Sequence, residues 1–348
     1  MKQSIIAGIS ALLLAVFLPM ALLSPVDAAQ PEEATLVWTQ DGAAAAEPEP
    51  EPEPEAVQEP EAAANPGWDA AETVALETEG GVMTLPLSEY LTGVVLSEMP
   101  ASFSEAALEA QTVAARTFTL KQQTAGKHPG ADLCADSSCC QAWTGREALE
   151  AKLGDGFAAY WDKASQAVSA TDGLVLTYGG DLIDAVYFSC SGGTTEDAVA
   201  VWGGDVPYLQ TVESPGEEIS GKFETTVTVP LAEFRQILQT ADPQVWLAGS
   251  PSGWFDDRVE TDGGGVDTLE IGGRIFRGTE LRTLFGLNSA KFTVEATAEA
   301  VVFTVSGYGH RVGMSQYGAE AMARAGADFE EILLHYYTGV TLEFLGAD

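Results

Sequence analysis

Positive charge is what this chain of 348 residues has least of: 16 Lys and Arg stand against 52 Asp and Glu, a formal net charge of −36. A partner held through its phosphates needs cationic side chains to displace counterions, so nucleic acid is excluded. Cysteine is also scarce, at four residues, and histidine scarcer, at three. The fold therefore cannot be a small disulfide-stapled scaffold; with 46% hydrophobic and 9% aromatic residues the chain can bury an ordinary core over most of its length. The shortage of cations is uneven. None occurs between Lys2 and Arg116, residues 27–115 hold 19 of the acids, and residues 116–348 set 15 cations against 33 acids.

The one long apolar run is Ile5 to Leu23, 19 uncharged residues behind Lys2. That length lies on the boundary between a secretory signal and a membrane span. The reading adopted is a membrane anchor over residues 1–28, with Lys2 on the cytoplasmic side. Cleavage after Ala28, where Val26 and Ala28 are small, is the alternative; either way the rest of the chain lies outside the cytoplasm. Residues 47–62, EPEPEPEPEAVQEPEA, combine fixed proline φ with carboxylate repulsion and stay extended. At about 3.1 Å per residue they reach roughly 50 Å, enough to lift a domain off a membrane. Residues 29–80 are thus expected to be a disordered acidic linker, and the folded domain to cover 81–348.

Leu87, Tyr90, Leu91, Val94 and Val95 form an i, i+3, i+4, i+7 stripe that predicts a helix ending at Pro100. Glu98 lies at its C-terminal end, where the helix dipole and the apolar Val94, Val95 and Met99 disfavour ionisation. A carboxyl held protonated is what a general acid needs at neutral pH, although a Glu at a helix end is more often a solvated surface residue. Ser102 to Glu105 reads as a capping box opening a second helix to Lys121. Its Arg116 either holds a ligand carboxylate or pairs locally.

His128, Cys134, Cys139 and Cys140 share a short Gly/Asp/Ser-rich loop, a donor set suited to zinc. Disulfides involving Cys190 and free thiols remain open as alternatives. Two strand-like stretches, 173–178 and 182–188, flank a Gly179-Gly180-Asp181 turn, and Tyr187-Phe188-Ser189-Cys190-Ser191-Gly192-Gly193-Thr194 at the end of the second is either a ligand-facing loop or an ordinary turn. The Gly-rich segment from Gly307 lacks the lysine and spacing of a nucleotide loop, so nucleotide is excluded. It predicts a turn into a helix capped by Ser315 and stopped near Gly326, with His310 either a ligand contact or a structural residue. His335 reads as structural. Short strands and two helical stretches alternate over 212–305, a small β-rich subdomain without a repeat. The whole is expected to be α+β, a single mixed domain of short strands and several helices.

Three separated segments, VVLSEMPASFSEAALEAQTVAARTFTLK at 94–121, SGGTTED at 191–197 and GYGHRVGMSQYGAEAMA at 307–323, resemble the stage II sporulation protein D family of peptidoglycan lytic transglycosylases. The resemblance implies that Glu98 is catalytic and that Arg116 takes part. It implies zinc bound by His128, Cys134 and Cys140; Cys139 stands where relatives often carry His and Cys190 where many carry Thr, so the fourth ligand is left open. The implied substrate is the glycan strand of peptidoglycan, cut between N-acetylmuramic acid and N-acetylglucosamine to leave a 1,6-anhydro end. One carboxyl suffices for this: it protonates the leaving oxygen and then takes the proton of the muramyl 6-hydroxyl closing on C1. Ser191, Tyr208, His310 and Gln316 become candidate sugar contacts. The implied setting is wall remodelling and engulfment during sporulation, with an amidase and membrane scaffold proteins as partners. Two other readings stand beside it: a noncatalytic wall-binding enhancer of an autolysin amidase, and a zinc-dependent amide hydrolase with Glu98 as base.

Overall fold

The computed structural model describes residues 67–346; the anchor and most of the linker expected from sequence lie outside them. From Trp68 the order is α1 (Trp68–Ala71), β1 (Thr73–Thr78), β2 (Gly81–Pro86), α2 (Leu87–Glu98), α3 (Glu105–Ala125), β3 (Leu133–Cys134), α4 (Arg146–Leu153), α5 (Phe157–Ala170), β4 (Leu174–Tyr178), β5 (Asp181–Leu182), β6 (Tyr187–Phe188) and α6 (Ala198–Trp202). A middle segment follows: β7 (Glu224–Pro230), α7 (Leu231–Ala241), β8 (Phe255–Glu260), β9 (Val266–Ile271), β10 (Arg274–Arg277), α8 (Gly278–Phe285), β11 (Phe292–Ala296) and β12 (Ala300–Ser306). The chain then returns as β13 (Met314–Ser315), α9 (Gln316–Arg324), α10 (Phe329–Tyr336) and β14 (Thr341–Phe344). Among the described residues no helix is long and apolar enough to cross a membrane.

The architecture is mixed α and β, with small sheets instead of one large one. Orders β2-β1-β3, β14-β4-β5 and β13-β6 surround a helical core, while β10-β9-β8 and β11-β12-β7 belong to the middle segment. In the helical core α3 is central, its Ala107, Ala110, Ala114 and Ala115 letting neighbouring backbones come close. The middle segment has its own core, in which Phe285 lies 5.0 Å from Phe234 and 5.1 Å from Phe303 between ring centroids. Two separate sets of buried apolar residues thus meet at the loops between β6 and β7 and between β12 and β13.

The fold departs from the sequence expectations in four places. Folded structure is already present upstream of 81, from Trp68 among the described residues: β1 is the middle strand of its sheet, and Asp69 is the buried partner of Arg116. Acidic, cation-free composition carries on across this boundary and conceals it. The Ser102 capping box does not form; Ser104 is the N-cap, and its amide donates to Glu320 Oε2 of α9 at 2.6 Å, a tertiary acceptor that replaces the local one. The stretch 182–188 splits, because Ile183 and Ala185 turn into the helical core and β6 pairs in parallel with β13. Strands β8 and β10, rich in charge, escaped the pattern reading.

Candidate active site

Glu98 is the last residue of α2, after which Met99 turns to extended backbone ahead of Pro100, as the helix-breaking ring requires. Its carboxyl opens onto a cavity of about 360 Å³ bounded by the 137–141 loop, β6, the 308–310 turn and the start of α9. Oε1 accepts the Ala142 N–H at 2.7 Å. Burial pushes the carboxyl above its ordinary pKa; the Ala142 amide, and more weakly the Gln316 side chain, pull it part of the way back. The acid is therefore held both oriented and reluctant to ionise. Among the described residues lining the cavity, Glu98 is the only carboxylate.

The loop carrying Ala142 lies flat on α2 because residue 93 is glycine: a Cβ there would strike the Trp143 indole and the Thr144 carbonyl. Gln141 secures it from the other side. Its Nε2 donates to Tyr90 Oη at 3.1 Å and Thr119 Oγ1 at 3.0 Å, while Oε1 accepts from Tyr187 Oη at 2.8 Å. One side chain thereby joins α2, α3 and β6 around the cavity floor.

The same loop holds the cysteine cluster. His128 Nε2 and the Sγ atoms of Cys134, Cys139 and Cys140 all lie within 4.8 Å of one another. His128 Nε2 is 3.2 Å from Cys140 Sγ and 3.7 Å from Cys139 Sγ, and the two sulfurs are 4.0 Å apart. Donors around tetrahedral zinc are separated by about 3.3–3.8 Å, given bond lengths of about 2.0 Å to nitrogen and 2.3 Å to sulfur. By donor type the cluster suits such an ion, and its spacings, 3.2–4.0 Å for the pairs given and within 4.8 Å for all, lie at or up to about 1 Å beyond that range. His128 Nδ1 lies 3.3 Å from Glu77 Oε2, which directs Nε2 toward the sulfurs and supplies the outer carboxylate common behind histidine ligands. The sequence left the fourth donor open between Cys139 and Cys190; the geometry brings Cys139 in and keeps Cys190 away, with all four cysteines unbridged.

A sequence model of the family described as Stage II sporulation protein matches residues 76–178. The chain is 38% identical over 264 residues to stage II sporulation protein D of Bacillus subtilis (strain 168), covering 75% of each chain. It belongs to the stage II sporulation protein D family. Its likeness to the Bacillus amyloliquefaciens member is the same, 38% over 265 residues. It is also 30% identical over 302 residues to the amidase enhancer of Bacillus subtilis (strain 168), spanning 72% of this chain and 40% of that protein.

In this member of the family His310 and Gln316 reach the Glu98 cavity, whereas Arg116, Ser191 and Tyr208 do not line it. Arg116 is wholly buried: Nε and Nη2 clasp Asp69 at 2.7 and 2.5 Å, and Nη1 donates to the Leu174 carbonyl at 3.0 Å. It has no face left for a ligand. Ser191 is equally buried, donating from N and Oγ to Glu217 at 2.6 and 2.9 Å. Cys190 Sγ, the Gly192 amide and Ser214 Oγ donate to the same carboxylate, so the SGG segment is built around Glu217 and not around the cavity. Tyr208 Oη accepts the Asp184 amide at 3.0 Å, away from Glu98. His335 is structural, its Nε2 2.7 Å from the Glu213 carbonyl.

His310 Nδ1 accepts the Val312 N–H at 3.1 Å, and burial, aided by the Arg282 charge, pushes its pKa down to about 4. At neutral pH it is an uncharged ring. Sequence reading missed Gln141 and the Ala142 amide, at which only the adjacency of Gln141 to Cys140 hinted, whereas Tyr187, which opens the segment read as a possible ligand-facing loop, lines the cavity. It also missed Arg311, which sits at φ 68 and joins both cores: Nη1 pairs with Glu196 at 2.8 Å, and Nη2 donates to the Thr194 and Gly263 carbonyls at 2.6 and 2.7 Å. Glu196 stands inside the SGGTTED segment without having been given a role, and Glu217 stands in no local pattern that marks it.

Proposed function

We propose that this protein is a lytic transglycosylase of peptidoglycan acting outside the cytoplasm on a membrane tether, in wall remodelling during sporulation. The observation that carries the reading is the lone, oriented, partly desolvated carboxyl of Glu98 in a cavity whose other described lining residues are uncharged or apolar and include no second carboxylate. A two-carboxylate hydrolase needs a second acid about 5–9.5 Å from the first to act as nucleophile or to activate water. A transglycosylase needs only one: Glu98 donates its proton to the leaving N-acetylglucosamine oxygen, and the carboxylate so formed takes the proton of the muramyl 6-hydroxyl as that oxygen closes on C1. The Ala142 N–H steadies the carboxylate between the two transfers. Gln316 and the neutral His310 offer hydrogen bonds to sugar hydroxyls.

His128, Cys134, Cys139 and Cys140 would hold zinc, which when bound there supplies a cross-link for the loop that presents Ala142 to Glu98. Four protein donors close a coordination shell, whereas catalytic zinc keeps a position open, so the zinc-hydrolase reading loses support. Likeness to an amidase enhancer supports a second reading, a wall-binding modifier of an amidase. Both are tested by mass analysis of intact and peptide-stripped glycan strands after incubation with residues 67–348. Anhydro-muramyl ends produced by the native protein and absent with Glu98→Gln are expected. No cleavage of either strand, with an amidase still stimulated by Glu98→Gln, would transfer the role to the modifier.

A further inference from the structure

The buried polar side chains behind Glu98 form a chain whose hydrogen bonds all run in one direction. Its far end is Thr119 of α3, wholly buried, which spends its hydroxyl proton on the Ala115 carbonyl at 2.7 Å. The Thr119 oxygen can then only accept, so the nitrogen of the Gln141 carboxamide faces it at 3.0 Å and the Gln141 oxygen is left for β6. There Tyr187 Oη donates to that oxygen at 2.8 Å. With its proton committed, Tyr187 has only lone pairs to offer its next neighbour.

That neighbour is Gln111 of α3, a wholly buried side chain that does not line the cavity. Its Nε2 is buried with no hydrogen bond of full geometry, and Tyr187 is the polar group on that side. Its Oε1 is turned toward α9, where Gln316 Nε2 lies 3.4 Å away. The Gln316 amide in turn donates to the Glu98 carboxyl. Turning the Gln111 carboxamide end for end would set two acceptors together at Tyr187 and two donors together at Gln316. The order of donors that begins at Thr119 is thus handed on to the acid.

We propose that Gln111 is a positioning residue for Glu98: by presenting its carbonyl oxygen to Gln316 it keeps that carboxamide with an N–H, and not its oxygen, toward the acid. The assignment rests on the reading of Glu98 as the acid that cuts a glycan. A Gln316 oxygen in that place would accept the Glu98 proton and hold it, whereas an N–H favours its release and steadies the carboxylate that follows. Gln111 itself touches neither substrate nor the reacting atoms.

The test reads the Glu98 titration midpoint in the full chain in detergent, by NMR of isotope-labelled glutamate carboxyls, with Glu98→Gln identifying the signal. The other titratable groups that face Glu98 are Cys140 of the loop, Tyr187 of β6, Tyr308 and His310 of the 308–310 turn, and Tyr90 of α2 behind it. All of them are retained in Gln111→Met, which is expected to raise the midpoint by about half a pH unit. Gln316→Ala raises it at least as far, and Gln111→Met added to Gln316→Ala moves it no further. An unmoved or lowered midpoint in folded Gln111→Met protein, or a full additional rise in the double variant, overturns the proposal, since loss of packing alone would lower stability without this pattern. Should Gln111→Met lose its near-ultraviolet dichroism, Tyr187→Phe decides: it keeps the ring but removes the lone pairs that orient Gln111, so a rise that vanishes on the Gln316→Ala background is expected, and no rise overturns the role. The midpoint is read without turnover, so failure of the underlying reading shows separately, as native protein that leaves glycan strands uncut. Where strands are cut, the kcat/KM limb moves up with the midpoint, and a limb that stays in place overturns the positioning role.

Discussion

Glu98 and His310 face one cavity and are shifted by the same cause, loss of water, in opposite senses on the pH axis. The protonated form of Glu98 starts the reaction, so kcat/KM is expected to fall as pH rises through its elevated pKa, with the limb above the ordinary glutamate range. Gln316 lowers that pKa, so Gln316→Ala is expected to move the limb further up; a pH–rate profile checks both. In stability terms the folded state keeps the Glu98 proton longer than the unfolded chain, so ionisation weakens the fold as pH rises through the folded value. His310 works the other way. Its folded value of about 4 lies below the ordinary 6.5, so its contribution is complete above 6.5 and is lost as pH falls toward 4, by about 3 kcal/mol. Comparing the Tm of native protein and His310→Gln between pH 7 and pH 4.5 should show a shallower acid decline in the variant.

At the level of single elements, α3 and the cysteine loop frame the site, and Phe118, Ser137, Cys140 and Gln141 from them line the Glu98 cavity. Arg116 sits in α3 with both guanidinium edges committed to Asp69 and to carbonyls. Removing either partner strands a buried charge, so Arg116→Ala and Asp69→Ala are each expected to cost about 3–5 kcal/mol, read as a lowered midpoint in chemical denaturation. Activity lost by Arg116→Ala at full stability would instead place Arg116 in the chemistry. The 128–142 loop depends on Gly93 for its seat and on the cysteine cluster for its shape. Chelation is expected to raise amide exchange within that loop, and Gly93→Ala to reduce activity at least tenfold by lifting Ala142 from Glu98, measured as strand cleavage at fixed protein concentration.

Across the whole molecule, two hydrophobic cores are clasped by loops whose sequences look catalytic and whose work is architectural. Arg311 and Glu196 pair at the junction; Thr261 Oγ1 and the Gly265 amide bind the same Glu196 oxygen at 2.7 and 3.1 Å, and Lys291 Nζ donates to the Gly192 carbonyl at 2.9 Å. Glu196→Ala is expected to leave Arg311 uncompensated, lower stability by about 3–5 kcal/mol and divide one calorimetric transition into two. The junction also bears His310 and Trp202, so it decides how the cavity continues onto the surface.

What the sequence determined by itself was everything written in local periodicity and contiguous motif. The stripe from Leu87 to Val95, the helix capped by Ser315, the middle elements β7, α7, β9, α8, β11 and β12, and the His/Cys loop follow from spacings of a few residues, where side-chain direction is set by the backbone period, while Glu98 was singled out by the contiguous motif that carries the family resemblance. What only the tertiary structure decided was the direction in which shared motif residues point. Arg116 and Ser191 carry the chemistry of a binding site but are turned inward, because Asp69 and Glu217 come from 47 and 26 residues away to meet them. The Ala142 amide, the Gln141 carboxamide and the Cys139 sulfur reach the site by loop packing alone. Such partners leave no periodic trace: a loop's path is set by the surfaces it seals and by the buried polar groups that must be satisfied there.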